Sequence, residues 1–292
     1  MKKAIRLGLL SSAFLLAACG NGNGDTAGDS PEPAEDNGTE TTEEATEESQ
    51  VLRVGATNVP HAEILEFIQP TLAEEGIELK IETYNDYVIP NLALSDGDID
   101  ANYFQHVPYF ETQVEENDFD FANAGGIHIE PLGAYSNRHD SLEDLPEGAT
   151  ILASSSVADH GRILGILQDA GLITVDDSID LIDASFDDIV ENERNLQFEY
   201  EYDAALMTTL YAQDEGDVFF INSNFAVDQD ISPVEEAIAL ESSSSPYANI
   251  VAVRSEDEDS ELIARLVEVL RAEETQEFIL DTWDGAVLPV DE

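Results

Sequence analysis

From Val51 onward, short apolar runs alternate with stretches whose apolar residues recur every three or four positions. The first pattern fits buried strands and the second fits amphipathic helices. Val51-Leu52-Arg53-Val54-Gly55 predicts a first strand that runs into a turn. Residues 61–75 predict a helix with Ile64, Leu65, Ile68 and Leu72 on one face and Gly76 placed to stop it. Pro70 is expected to kink or split that helix, because it lacks an N–H and crowds the preceding turn. Residues 78–83 alternate as a second strand, 88–94 read as a short helix and 99–103 as another strand. Further strands are predicted at 133–137, 150–153, 218–222 and 250–253. Residues 141–145 read as a capped turn, 163–170 as a helix closed by Gly171, and 260–280 as one long amphipathic helix. This β-α-β-α order implies an α/β fold, with helices layered on mainly parallel sheets. The 292 residues have room for two domains of about 100–200 residues each.

The first 50 residues follow another pattern. Lys2, Lys3 and Arg6 precede an apolar run, residues 9–18, interrupted only by Ser11 and Ser12. The run is shorter than the roughly 20 residues a membrane span needs, so residues 1–18 are expected to be a signal peptide. It ends Leu16-Ala17-Ala18-Cys19-Gly20, which resembles a bacterial lipobox, with Cys19 as the lipidated residue. The alternative is an ordinary secretory signal with an incidental Cys; the placement of the chain's one Cys where lipidation requires it favours the anchor. The stretch that follows, to residue 50, is rich in Asp and Glu and holds no Lys or Arg. Such a segment buries too little to offset its ordering entropy, so residues 19–50 are expected to be a lipidated, acidic, disordered tether.

Charge narrows the function. Lys and Arg total 11 against 64 Asp and Glu, a formal net charge of −53. That excludes a conventional nucleic-acid binder, which needs clustered cations for phosphates. It also argues against docking on anionic lipid through the protein surface. Beyond residue 18 the cations are Lys80 and seven Arg, and the acidic residues are spread along the whole chain. Adaptation to high salt accounts for such a spread better than a cation-binding site does, because molar salt confines carboxylate repulsion to a few ångströms. One Cys excludes a disulfide framework and any multi-cysteine metal site.

Motifs for chemistry are missing. Asp96-Gly97-Asp98-Ile99-Asp100 starts like a calcium loop, but Ala101 stands at the sixth position and Val107 at the twelfth, where Gly and Glu are needed. Neither G-x-S-x-G, H-E-x-x-H nor a Walker motif occurs, and the five His show no i, i+4 pair. No catalytic residue, metal site or cofactor is expected.

Three segments break the acidic pattern. Tyr84-Asn85-Asp86-Tyr87-Val88-Ile89-Pro90-Asn91 and Asp98-Ile99-Asp100-Ala101-Asn102-Tyr103-Phe104-Gln105-His106-Val107-Pro108-Tyr109 put aromatics and amides at strand ends, where open α/β sheets bind ligands. The third, 154–162, reads as a loop opening a helix, where free N–H groups and Arg162 suit a carboxylate. Together with Gly161-Arg162, Ile221-Asn222 and Ser245-Pro246-Tyr247-Ala248-Asn249, these segments resemble the NlpA-type methionine-binding lipoproteins, substrate-binding components of methionine ABC importers. The likeness runs from about Val51 to the C-terminus, and the lipobox and tether fit the family independently.

The resemblance implies a two-domain periplasmic-binding-protein fold of type II-like architecture, with the ligand cleft between its lobes. Residues 51–136 plus 247–292 would form lobe 1 and 137–246 lobe 2, with chain crossings near 133–137 and 245–253. Tyr87, Phe104, His106 and Tyr109 would wall an apolar slot for a thioether, Arg162 and Asn222 would hold an α-carboxylate, and Asn249 would fix the amino-acid backbone end. The implied protein is a monomer that does no chemistry. It captures L-methionine and delivers it to an ABC permease and its ATPase, and is held to the cell membrane through lipid on Cys19. Another amino acid, D-methionine or a methionine-containing dipeptide is the alternative ligand; a surface adhesion or interaction lipoprotein is a remote alternative. The chain also departs from the family. Ala158-Asp159-His160 stands where an Asn usually precedes the Gly-Arg pair, and residues 202–212 lack the usual Leu-Pro-Arg-like run. A carboxylate so near Arg162 is expected to weaken its hold on an anion.

Overall fold

The computed structural model describes residues 49–242 and 246–290. The signal segment, Cys19 and nearly all of the acidic tether lie outside the described residues. β1 (Gln50–Thr57) turns through residues 58–62 into α1 (Glu63–Glu74), followed by β2 (Ile77–Tyr84), α2 (Ile89–Asp96), β3 (Ala101–His106), α3 (Val107–Asn117) and β4 (Phe121–Ile129). The chain next forms β5 (Gly133–Tyr135), β6 (Thr150–Ser154), α4 (Val157–Asp169) and the strand pair β7 (Thr174–Val175) and β8 (Ile189–Glu191). β9 (Gln197–Tyr202), α5 (Met207–Ala212), β10 (Val218–Ile221), α6 (Ser223–Asp228), α7 (Pro233–Glu236) and β11 (Ala239–Leu240) complete this part. It returns through β12 (Ala248–Arg254), α8 (Glu261–Leu270), α9 (Glu273–Trp283) and β13 (Leu288–Pro289).

Two lobes result, each built on its own sheet. The first has strand order β13-β4-β12-β3-β1-β2 and the second β11-β5-β10-β6-β9. Period-two burial explains why helices cover both faces. On β12, Val251 and Val253 join the core under α1 and α8, while Ile250 and Ala252 join a second core with Leu94 and Phe110. On β10, Val218 and Phe220 face the α4 side, whereas Phe219 and Ile221 pack with Met207 and Ala226. Strands buried on both faces read as unbroken apolar runs, which is how Val218-Phe219-Phe220-Ile221 looks in the chain.

The expected mainly parallel sheets are mixed. β2, β1 and β3 pair in parallel, but β12 runs antiparallel between β3 and β4. β9, β6 and β10 are parallel, with β5 and β11 antiparallel on the edge. The reversed strands are those that receive the chain after each crossing: β5 runs against β10 and β11 in the second sheet, and β12 against β3 and β4 on the return. The first crossing is residues 130–132 and the second lies between β11 and β12, since β4 and β12 belong to the first sheet and β5 and β11 to the second. Gly133–Tyr135, which the expected boundary at residue 136 puts in the first lobe, is hydrogen-bonded into the second sheet.

Three local expectations are corrected. Helix α1 runs through Pro70, which lies on the exposed face, so the carbonyl its ring leaves unpaired can reach water. The long helix at 260–280 is two helices with Ala272 extended between them; Thr275 Oγ1 and Gln276 Nε2 donate to the Val269 and Leu270 carbonyls at the break (2.8 and 2.9 Å). Helix α4 begins at Val157, so Asp159 and Arg162 sit on its first two turns rather than on a loop.

The few cations tie distant segments. Arg194 donates to the Glu143 and Leu145 carbonyls, Arg254 to those of Leu94 and Ile99, and Arg271 to that of Gly126. Arg53 pairs with Asp100, Arg138 with Asp214 and Asp217, and Arg265 forks onto Glu75. Lys80 meets only its strand neighbour Glu78, at 3.5 Å. Among the described residues no helix is long and apolar enough to cross a membrane.

Candidate functional site

Strand β3 ends at His106, which also caps α3. Its Nδ1 accepts the Tyr109 N–H (3.1 Å), so the proton of the neutral ring is on Nε2, which donates to Asp159 Oδ1 (3.1 Å). The neighbouring Phe104 faces Tyr87 and Tyr109, with ring centroids 6.0 and 6.2 Å away. Tyr109 donates to the Tyr87 carbonyl (3.0 Å), and Tyr87 donates across the lobes to Asn224 Oδ1 (2.6 Å). Burial holds the Tyr87 hydroxyl well above its usual pKa, so it stays a donor. The other polar members of the Asp-Ala-Asn and Phe-Gln-His strings are scaffold: Asn102, Gln105 and Asn91 form one buried amide cluster that locks α2 to β3.

The opposite wall comes from α4 and the end of β10, while Asn249 on β12 stands beside His106. Asp159 accepts from His106 and from Arg162 Nη1 (3.2 Å) on one oxygen, and from Asn222 Nδ2 (3.2 Å) on the other. Burial alone would raise its pKa, but His106, Arg162 and Asn222 hold the carboxyl well below the usual range. Arg162 also donates through Nε and Nη2 to Glu241 (3.0 and 2.5 Å) and through Nη2 to the Glu130 carbonyl (2.7 Å), and its guanidinium lies 4.7 Å over the Tyr247 ring. Gly161 permits this placement, because a Cβ there would lie 1.9 Å from the Leu181 carbonyl oxygen. Asn222 occupies the cap position of α6, yet its side chain bonds Asp159 and not the helix. Asn249 Oδ1 accepts from His61 Nε2 (3.1 Å).

Behind this wall lies a buried network. Glu130 accepts from His128 Nε2 (2.8 Å) and the Asn224 N–H (3.1 Å), with His61 Nε2 3.2 Å away. Thr57 and Tyr103 hydroxyls meet the Nδ1 atoms of His61 and His128, so both rings present Nε2–H to acceptors. Burial lowers the two imidazoles to about 4 and about 3. Burial also raises the Glu130 carboxyl, against the pull of His61, Arg162 and the Asn224 N–H. His61, His128 and Glu130 have donor atoms within 4.8 Å of one another, a set that could hold a metal, but hydrogen bonds already account for each.

All seven ligand residues expected from the sequence line one cavity, together with Gln105, Glu130, Asp159, Ser223 and Asn224. Its volume is about 20 Å³, room for roughly one water. A groove of about 250 Å³ shares Tyr87 and Tyr109 with it and runs between α3 and the start of α4.

The sequence profile of the NlpA lipoproteins matches residues 52–291. The chain belongs to the NlpA lipoprotein family. It is 43% identical to the methionine-binding lipoprotein MetQ of Bacillus subtilis over 286 residues, 97% of each chain. A crystal structure from Enterococcus faecalis, described as a pheromone cOB1 precursor and lipoprotein of the YaeC family, is 57% identical with a TM-score of 0.80. That match covers 82% of this chain and all of the other. A nutrient-binding protein from Burkholderia cenocepacia, solved bound to methionine, is 36% identical with a TM-score of 0.77, over 82% of this chain and 100% of its own. In this NlpA lipoprotein Asp159 stands out in the sequence only as a departure beside Arg162, and nothing singles out Glu130 or Glu241. Asp159 had one signal, its position three residues before Arg162; Glu130 and Glu241 had none among 64 acidic residues.

Proposed function

We propose that this protein is a lipid-anchored, extracytoplasmic solute-binding protein that captures L-methionine and delivers it to the permease of an ABC importer. The observation that carries this reading is a buried cavity with the rings, His106 and Asn249 on the first lobe and Arg162 and Asn222 on the second. Tyr87, Phe104 and Tyr109 suit a thioether, since sulfur–aromatic contacts contribute roughly 0.3–1.5 kcal/mol each. Arg162 and Asn222 take the α-carboxylate, Asn249 fixes the backbone end of the ligand, and His106 closes the wall through Asp159. Support comes from two relatives: one is named for methionine binding and another was solved with methionine. No catalytic step belongs to this reading.

A cavity of about 20 Å³ is too small for methionine, so the ligand enters when the lobes part. The crossing at residues 130–132 acts as a hinge. Opening breaks the Tyr87–Asn224 and His106–Asp159 hydrogen bonds, and closure around ligand remakes the wall.

The test is a thermal shift and calorimetric titration of the chain from residue 20 onward, unfolded and refolded to strip co-purified ligand. L-methionine, D-methionine and a methionine dipeptide are compared at low and molar salt. Ligand at 100 times Kd is expected to add about 2.7 kcal/mol of stability. The gain should vanish in Arg162→Ala and Asn249→Ala. No response of folded protein to L-methionine at either salt would refute the assignment. The anchor is tested separately: Cys19→Ala should move the protein from the membrane to the soluble fraction, and its retention there would refute lipidation at that residue.

A further inference from the structure

Among the described residues Arg162 is the only Lys or Arg lining the cavity, and it already faces two of the chain's own carboxylates. Glu241 takes its Nε and one Nη2 hydrogen, with side chains 3% and 11% exposed. The Glu130 carbonyl takes the second Nη2 hydrogen and Asp159 one from Nη1. One Nη1 hydrogen remains without a partner among the described residues. The positive charge of Arg162 is therefore balanced by Glu241, whichever ligand is bound.

Asp159 is then an anion in excess. Its other partners are the Nε2–H of a neutral His106 and the amide of Asn222, and its side chain is 3% exposed. Glu130, also on the cavity, is served by neutral donors, the imidazoles of His61 and His128 and the Asn224 N–H. The cavity wall thus sets two carboxyl side chains, Asp159 and Glu130, beside one guanidinium that Glu241 balances from outside it. A buried, surplus carboxylate favours a cationic group and repels an anionic one.

Resting on the reading of this cavity as a methionine site, we propose that Asp159 is the specificity-determining anchor for the ligand's ammonium. The site accordingly demands the ammonium more strictly than the carboxylate. Its ligand class is a primary ammonium joined to a short thioether or similar apolar chain. A carboxylate is accepted by the free Nη1 hydrogen and the neutral amides but is not required.

Calorimetry on the full mature lipoprotein in detergent, dialysed free of ligand, separates the outcomes. Three probes are used: L-methionine, L-methionine methyl ester (ammonium kept, carboxylate masked) and 2-hydroxy-4-(methylthio)butanoate (carboxylate kept, ammonium replaced by hydroxyl). The ester is expected to bind within tenfold of L-methionine and the hydroxy acid at least a hundredfold more weakly. Asp159→Asn should lose at least tenfold in L-methionine affinity and the ester-over-hydroxy-acid preference, with a thermal melt confirming that it folds. Glu241→Gln, which unburdens Arg162, should gain at least tenfold for the hydroxy acid and serves if Asp159→Asn does not fold. L-methionine binding with equal affinity for ester and hydroxy acid overturns this inference alone, as does an unchanged preference in Asp159→Asn or in Glu241→Gln. No binding of L-methionine while the ester binds tightly refutes the methionine reading and upholds the ammonium anchor; no binding of any probe overturns both.

Discussion

Acidification from pH 7 to pH 5 should destabilise this protein through two residues that touch no solvent. His61 and His128 are 1% and 0% exposed, and burial lowers their pKa from the ordinary 6.5 to about 4 and about 3. Between those values the unfolded chain holds a proton on each ring that the folded chain refuses. Their contribution is therefore fully present above pH 6.5 and is lost as the pH falls toward 4. Each group adds a slope of about 1.4 kcal/mol per pH unit inside that window, so the step from pH 7 to 5 costs about 2 kcal/mol per ring and about 4 together. Glu130 opposes this, because its raised pKa lets the folded chain take up a proton before the unfolded one does, which makes that figure an upper bound. Urea unfolding at pH 7 and pH 5 in molar salt, where surface carboxylates are screened, measures the slope. His128→Gln should lose about half of it, and the difference between the two proteins cancels every group they share. Equal slopes in both would refute the assignment of acid lability to these rings.

Two glycines of α4, four residues apart, should respond in opposite ways. A Cβ at Gly161 would strike the Leu181 carbonyl at 1.9 Å, so Gly161→Ala should cost about 3 kcal/mol or more in urea unfolding, whereas Gly165 has only Leu181 Cδ1 at 4.0 Å and Gly165→Ala should gain about 0.4–1 kcal/mol. Equal effects would contradict the packing of residues 181–183 on this helix. Asn102→Ala strips a partner from both Asn91 and Gln105 and should cost about 1–3 kcal/mol, read in the same assay; a neutral result would mean the amide cluster ties nothing together.

The helix faces were legible because burial follows period: Ile64, Leu65, Ile68 and Leu72 are the buried residues of α1. The aromatic wall was legible by contrast, since Tyr87, Phe104 and Tyr109 interrupt an acidic background. Asp159 and Glu241 had no contrast of their own, and only the approach of α4 to the second crossing shows what they do. Tertiary context hid other features. Arg271 and Ala272 are good helix formers, yet the helix breaks there because Thr275 and Gln276 satisfy the exposed carbonyls. Strand β4 was missed because Gly125 and Gly126 have low strand propensity. Gly125 is needed all the same: it has φ +155, and a Cβ there would sit 3.0 Å from both Arg271 Nη2 and Val267 Cγ1.

The arginines also bear on how far such a chain can change. With seven Arg and one Lys beyond residue 18 against 64 Asp and Glu, each cation carries an unusual share of the ties between segments. Every arginine in the described residues joins segments far apart in the chain, several of them by gripping main-chain carbonyls that a shorter or singly pointed side chain would release. Lys80, paired only with a residue two positions away on the same strand, is the exception. Among the described residues it is the one positive charge whose loss would cut no tie between segments, whereas losing any of the arginines would undo part of the architecture it joins.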